Sequence, residues 1–180
     1  DMTSRFVGKN KILPNIFGHN TDKFLENIEH IHFVACGTSY HASLVAKDWI
    51  EQFTKITCTA EVASEYKYKK INVLPKTLFV SISQSGETAD TISSLKKALK
   101  LSYTNTLAIC NVAESTLTRL SGMNFLMNAG PEISVASTKA FTSQLFTLLL
   151  LTVILSRKYG KTEKKMVQDL SLIHISEPTR

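Results

Sequence analysis

Short apolar segments alternate with longer segments of helical periodicity along most of this chain, and this alternation is the strongest constraint on its fold. The strand-like segments are apolar along their whole length rather than at every second residue, as parallel strands covered on both faces are. Alternating strands and helices favour a parallel sheet between two layers of helices. The sequence therefore predicts an α/β fold, a three-layer αβα sandwich with a mostly parallel sheet of about five strands.

The predicted elements can be assigned to definite segments. The strands cover residues 31–35, 57–62, 78–82, 107–110 and 124–127. The helices cover residues 23–29, a segment capped by Thr38 or Ser39, and residues 87–100 and 138–157. The apolar face predicted for the second helix consists of Leu44, Val45, Trp49, Ile50 and Phe53.

The 180 residues suffice for one domain with a single core. We interpret residues 1–22 as a connecting segment, residues 23–160 as the folded domain, and residues 161–180 as a linker and tail. The last ten residues, SLIHISEPTR, resemble a translated sequencing-adapter read-through, and we interpret them as foreign to the protein.

Charge and composition exclude several partners and cofactors. The net charge of +6 is concentrated in residues 157–165 and forms no basic face, so no nucleic-acid partner is expected. The apolar run 145–155 is shorter than the roughly 20 residues of a membrane span, so no membrane partner is expected either. The cysteines and histidines lack metal-ligand spacing, which predicts no metal and no other cofactor. Cys36, Cys58 and Cys110 are interpreted as free thiols, and the protein as cytoplasmic.

Three turns that follow predicted strands are rich in hydroxyl groups. They are CGTS at 36–39, SQSGET at 83–88 and VAST at 135–138, and each precedes a predicted helix. Free N–H groups at a helix start, together with short hydroxyl donors, favour an anion such as phosphate. The alternative is that these residues only cap helices. Glu87 could act as a general base, but at a helix start it is better explained as a complement to the helix dipole.

The blocks ACGTSYHAS, EVASEYKYKK, SISQSGETADT, LAICNV and NAGPEISVASTKAFTSQ resemble, in this order, the first sugar isomerase (SIS) subdomain of the glutamine:fructose-6-phosphate aminotransferase family. The resemblance implies a domain that holds fructose 6-phosphate within an enzyme that makes glucosamine 6-phosphate from it and glutamine. By motif position it implies phosphate contacts from Ser39, Ser83, Gln84, Ser85 and Thr88, and sugar contacts from Thr38, Val135 and Ser137.

The resemblance also implies parts that these residues do not supply. The family has a glutaminase domain with an N-terminal cysteine nucleophile, and a second SIS subdomain that carries the base and the ring-opening lysine. We therefore expect a fragment that is inactive by itself, with no catalytic residue of its own, and a homodimer that binds a hexose 6-phosphate. Lys139 is interpreted as structural. Two alternatives stay open: a regulatory SIS module that senses a sugar phosphate, and a stand-alone isomerase that would use Glu87 and Lys139.

Overall fold

The computed structural model describes residues 7–8, 11–12, 20–127, 129 and 138–160. The strands are β1 (Val7–Gly8), β2 (Lys11–Ile12), β3 (His30–Ala35), β4 (Thr57–Val62), β5 (Thr77–Ser83), β6 (Asn105–Cys110) and β7 (Met123–Leu126). The helices are α1 (Thr21–Phe24), α2 (Gly37–Phe53), α3 (Ala63–Tyr66), α4 (Ala89–Ala98), α5 (Thr116–Leu120) and α6 (Thr138–Tyr159).

Strands β3 to β7 form one parallel sheet in the order β4-β3-β5-β6-β7. At the end of β3, Ala35 pairs with Val62 of β4 on one side and with Ile82 of β5 on the other. The chain therefore adds β4 to one side of β3 and then continues the sheet on the other side. The strand order reverses between β3 and β5, and the predicted five-stranded α/β fold is confirmed.

Helices cover both faces of this sheet because alternate strand residues point to opposite sides. Phe33 belongs to the larger core, which β3 shares with α2 and α6, whereas Val34 belongs to the smaller core under α3, α4 and α5. Leu151 of α6 and Leu95 of α4 are fully buried in these two cores. The three-layer arrangement follows from strands that are apolar on both faces.

Several elements differ from the predictions. The helix expected at residues 23–29 covers only Thr21–Phe24, and Asn27 follows in a left-handed conformation with φ 58°, which a helix cannot continue through. Helices α3 and α5 and the antiparallel pair β1–β2 were not predicted. The tail predicted for residues 161–180 lies outside the described residues.

The apolar face predicted for α2 was partly wrong. Ala42, Ala46 and Ile50, spaced four residues apart, are fully buried, and this spacing defines the face toward the core. Leu44 is two residues from Ala42 and from Ala46, on the opposite side of the helix, and is 36% exposed. Ile50 is therefore buried as predicted, and Ala42 and Ala46 carry part of the packing that was attributed to larger side chains.

By length and composition, residues 139–159 of α6 could cross a membrane, but 67% of the 18-residue window tested is buried inside the protein. Helix α6 packs against α2 and contributes residues to the larger core. Packing within the domain thus explains its apolar composition.

Candidate functional site

A cavity of about 260 Å³ lies where β3 and β5 end. Six of the eight predicted site residues line it: Thr38, Ser39, Ser83, Gln84, Ser85 and Thr88. The other two, Val135 and Ser137, lie outside the described residues. The cavity is at the reversal of strand order, at the carboxyl ends of the strands, which is where open α/β sheets bind ligands.

The first turn of α2 forms one wall of the cavity. Cys36 precedes the helix in an extended conformation, and no side chain in the described part of the molecule caps it. The first helical hydrogen bond runs from the Tyr40 N–H to the Cys36 carbonyl at 3.4 Å, so the N–H groups of residues 37–39 have no acceptor within the helix. Gly37 has φ 56°, and an added Cβ would meet no described heavy atom within 4 Å. This turn therefore presents N–H donors and the positive end of a helix dipole to the cavity.

The loop after β5 forms the opposite wall. Ser83 is buried, and its Oγ accepts a hydrogen bond from the Gly86 N–H at 3.1 Å and lies 3.0 Å from Thr88 Oγ1. Ser85 is exposed, and its Oγ accepts from the Glu87 N–H at 3.2 Å. Both serine oxygens therefore shape the loop, while each hydroxyl can still donate its proton elsewhere.

Gly86 is the residue of this loop at which any side chain would cause strain. Its φ is 69°, and an added Cβ would lie 2.1 Å from Ser115 Oγ and 2.7 Å from Cys110 Sγ. Ser115 caps α5 by accepting from the Thr118 N–H. The loop is thus pressed against the start of α5, which the sequence did not predict.

Backbone hydrogen bonds hold this loop from the side away from the cavity. The Asn111 N–H donates to the Gln84 carbonyl, and the Leu117 N–H to the Gly86 carbonyl, both at 3.1 Å. Glu87 Oε1 accepts from the Thr116 N–H at 2.6 Å. Hydrogen bonding from Thr116, chiefly from its backbone N–H, holds the pKa of Glu87 below its usual value.

Glu87 does not line the cavity. It does complement a helix N-terminus, as predicted, but that helix is α5 rather than the α4 that it precedes. Helix α4 begins only at Ala89, because Thr88 is its extended N-cap. A stand-alone isomerase that uses Glu87 as its base is therefore disfavoured, since a general base must reach the substrate.

The cavity has the electrostatics of an anion site. No Asp, Glu, Lys, Arg or His is among its described lining residues, which supply hydroxyls, one amide and the N-terminal turns of α2 and α4. Neutral donors and two helix dipoles favour a negatively charged group such as phosphate. Cys36 is the only ionisable side chain in this described lining.

Five residues at the site were not predicted as site residues. Four of them line the cavity: Cys36, Gly37, Ile82 and Thr91. Gln144 of α6 is 1% exposed, and its Nε2 donates to Ser39 Oγ at 2.9 Å. The available signal for Gln144 was an amide side chain within a mostly apolar helix.

Other potentially reactive groups do not form a second site among the described residues. No group of three or more His, Cys, Asp or Glu there could hold a metal ion. The three cysteines are free thiols, and burial raises the pKa of Cys58 to about 12. Lys139 is exposed in the first turn of α6.

Comparison with protein families gives a match to the SIS domain model over residues 24–154. Two similar curated proteins are glutamine--fructose-6-phosphate aminotransferases [isomerizing]. The one from Shewanella oneidensis is 45% identical over 162 residues, covering 90% of this chain and 27% of the relative. The one from Pseudomonas aeruginosa is 47% identical over 178 residues, covering 97% and 28%. The chain thus spans about a quarter of the length of these relatives.

A solved structure supports the same relationship. The C-terminal domain of glucosamine-fructose-6-phosphate aminotransferase from Francisella tularensis matches with a TM-score of 0.91 and 41% identity. The match covers 97% of this chain and 49% of that one. The chain therefore corresponds to about half of that domain.

Proposed function

The chain belongs to the SIS domain family, and from this premise we propose that its cavity binds the phosphate of a hexose 6-phosphate. The domain would serve as a sugar-phosphate-binding subdomain of a glutamine:fructose-6-phosphate aminotransferase (isomerizing). Its ligand would be fructose 6-phosphate, and the complete enzyme would make glucosamine 6-phosphate in the cytoplasm.

The observation that carries the proposal is the convergence of two N-terminal helix turns and several hydroxyl groups on one uncharged cavity. Ser39, Ser83 and Thr88 belong to two different strand-to-helix turns, yet they line the same space. If these residues only capped helices, no cavity between the two turns would be required. Phosphate carries the charge and the acceptor oxygens that such donors match.

The relatives support the choice of enzyme, because aminotransferases of this name are 45% and 47% identical over nearly the whole chain. The activity belongs to the longer protein, and we propose that the 180-residue chain binds the ligand without converting it. Its partners would be the glutaminase and second SIS domains and a second copy of the protein.

The test is calorimetric titration of the chain with fructose 6-phosphate, glucose 6-phosphate and fructose. Each hydrogen bond to a charged group is worth about 1.5 to 3 kcal/mol, so loss of several should weaken binding of fructose at least about a hundredfold relative to its phosphate. Equal affinity for fructose and fructose 6-phosphate would overturn the proposal. Inorganic phosphate serves as a fourth ligand, which separates the contribution of the phosphate from that of the sugar.

A further inference from the structure

Gln144 and Ser39 form a buried hydrogen bond between two helices that are far apart in sequence. The donor is the Gln144 amide of α6, and the acceptor is the Ser39 hydroxyl oxygen in the first turn of α2. The two side chains are 105 residues apart, and the residues are 1% and 7% exposed. Ser39 also lines the cavity, so the bond connects the interior of the domain to the site.

The direction of this bond determines whether the Ser39 hydroxyl proton is free to be donated. A serine hydroxyl has one proton to donate and two lone pairs to accept with. Gln144 Nε2 occupies one lone pair, and the Ser39 proton remains available to another acceptor. Gln144 Oε1 has no hydrogen-bond partner among the described residues, so the contact with Ser39 is the polar contact that holds the amide.

We propose that Gln144 is a positioning residue that orients the Ser39 hydroxyl so that its proton points to a phosphate oxygen in the cavity. Without the amide, the hydroxyl can rotate and bond to a nearby helix carbonyl, as serine hydroxyls in helices commonly do. Gln144 itself does not line the cavity and acts through Ser39. This inference rests on the proposed binding of a sugar phosphate.

A double-mutant cycle on the 180-residue chain tests the inference, with the dissociation constant for fructose 6-phosphate as the readout. Ser39→Ala should weaken binding at least about tenfold, and Gln144→Met, which keeps the length of the side chain, about fivefold. In the Ser39→Ala background, Gln144→Met should have no further effect, because the hydroxyl that it orients is gone.

The matched control is Thr147→Val, which removes another buried hydroxyl one turn further along α6 while preserving the shape of the side chain. It should leave the dissociation constant unchanged. If Gln144 only supported the packing of α6, Gln144→Met would weaken binding by the same factor in the wild-type and the Ser39→Ala backgrounds. That additive result would overturn the inference and leave the proposed function intact.

A second variant keeps the test decisive if Gln144→Met does not fold. Gln144→Glu retains the shape, but an ionised carboxylate can only accept, so it captures the Ser39 proton and weakens binding. Lower pH should restore affinity in this variant, because a protonated carboxyl can again donate to Ser39, whereas the wild type should not gain affinity. A variant with wild-type affinity at all pH values would overturn the inference. Failure of the wild type to bind fructose 6-phosphate would overturn the proposed function as well.

Discussion

Glu87 directs its carboxylate to the backbone N–H of Thr116, 2.6 Å away, and thereby joins the loop after β5 to the start of α5. The acidic residue of the SQSGET segment thus faces a neighbouring helix and not the cavity. Its neighbour Gly86 is bound to the same helix through the Leu117 N–H. The loop that supplies Ser83, Gln84 and Ser85 is therefore held by structure outside the site.

Glu87→Gln tests this assignment. The amide oxygen can still accept from the Thr116 N–H, so affinity for fructose 6-phosphate should stay within about twofold of the wild type. At neutral pH the variant should be slightly less stable than the wild type, and this difference should vanish at acidic pH. The pKa of Glu87 is lowered in the folded protein, so its carboxylate stabilises the fold above the unfolded pKa, and that stabilisation is lost as the pH falls through the folded pKa. Calorimetry and urea unfolding measure both quantities. A large loss of affinity would indicate that Glu87 touches the ligand.

Gly86→Ala and Gly37→Ala form a matched pair, because both glycines have a positive φ, 69° and 56°. At Gly37 the added methyl group meets no atom of the described residues within 4 Å, so only backbone strain of about 1 kcal/mol is expected. At Gly86 the methyl group also collides with Ser115 and Cys110, and the total should be about 3 kcal/mol. Free energies of unfolding in urea would compare the two. Equal losses would mean that the contact with α5 is not tight.

Ser83→Ala and Ser85→Ala should separate loop stability from ligand binding. Buried Ser83 accepts from the Gly86 N–H, so its loss should lower both affinity and stability, the latter by about 1 to 2 kcal/mol. Ser85 is exposed, and its loss should weaken binding of fructose 6-phosphate about tenfold and change stability by less than about 1 kcal/mol. Unchanged affinity in Ser85→Ala would mean that Ser85 only caps the turn and does not contact the ligand.

His32 should make stability depend on pH near neutrality. It is 9% exposed, with Tyr103 Oη 2.8 Å from its Nδ1 and Glu61 Oε1 3.3 Å from its Nε2. Burial lowers its pKa from 6.5 in spite of the Glu61 carboxylate, so the unfolded chain takes up a proton more readily than the folded protein. Stability is thus fully present above pH 6.5 and is lost as the pH falls through that value toward the lower folded pKa.

Unfolding in urea between about pH 7.5 and 5.5 checks this sign, with His32→Gln as the comparison. The variant should show a flatter dependence over this range. The pKa values of the carboxyls of Glu29, Glu51 and Glu87 are lowered from 4.5, so these groups change the free energy of unfolding only at more acidic pH. Identical slopes in the variant and the wild type would refute the role of His32.

The sequence was sufficient to predict the sheet because its central strands are mostly apolar and buried on both faces, as β5 is, although the edge strand β4 is partly exposed. It also predicted that the turns after β3 and β5 would share a site, since neighbouring parallel strands end at one edge of a sheet. It could not predict the contact of Gly86 with Ser115 or of Gln144 with Ser39. Both depend on how separate elements pack, and neither has a local pattern.

The short elements could not be predicted from the sequence either. Helix α5 has five residues, too few for a periodic pattern, and is stabilised by the Ser115 cap and the contact with Glu87. Leu44 was predicted to lie on the apolar face of α2, whereas the buried face consists of Ala42, Ala46 and Ile50 and leaves Leu44 exposed.

The most direct test of the central claim is the backbone amide NMR spectrum of the chain during titration with fructose 6-phosphate. If the cavity between β3 and β5 binds the phosphate, the amides of residues 37–39 and 83–88 should shift, and those of His30 and Thr77, at the opposite ends of the same strands, should not. Fructose without its phosphate should cause no comparable shifts. Shifts that spare residues 37–39 and 83–88 and occur elsewhere would contradict the assignment of this cavity as the sugar-phosphate site.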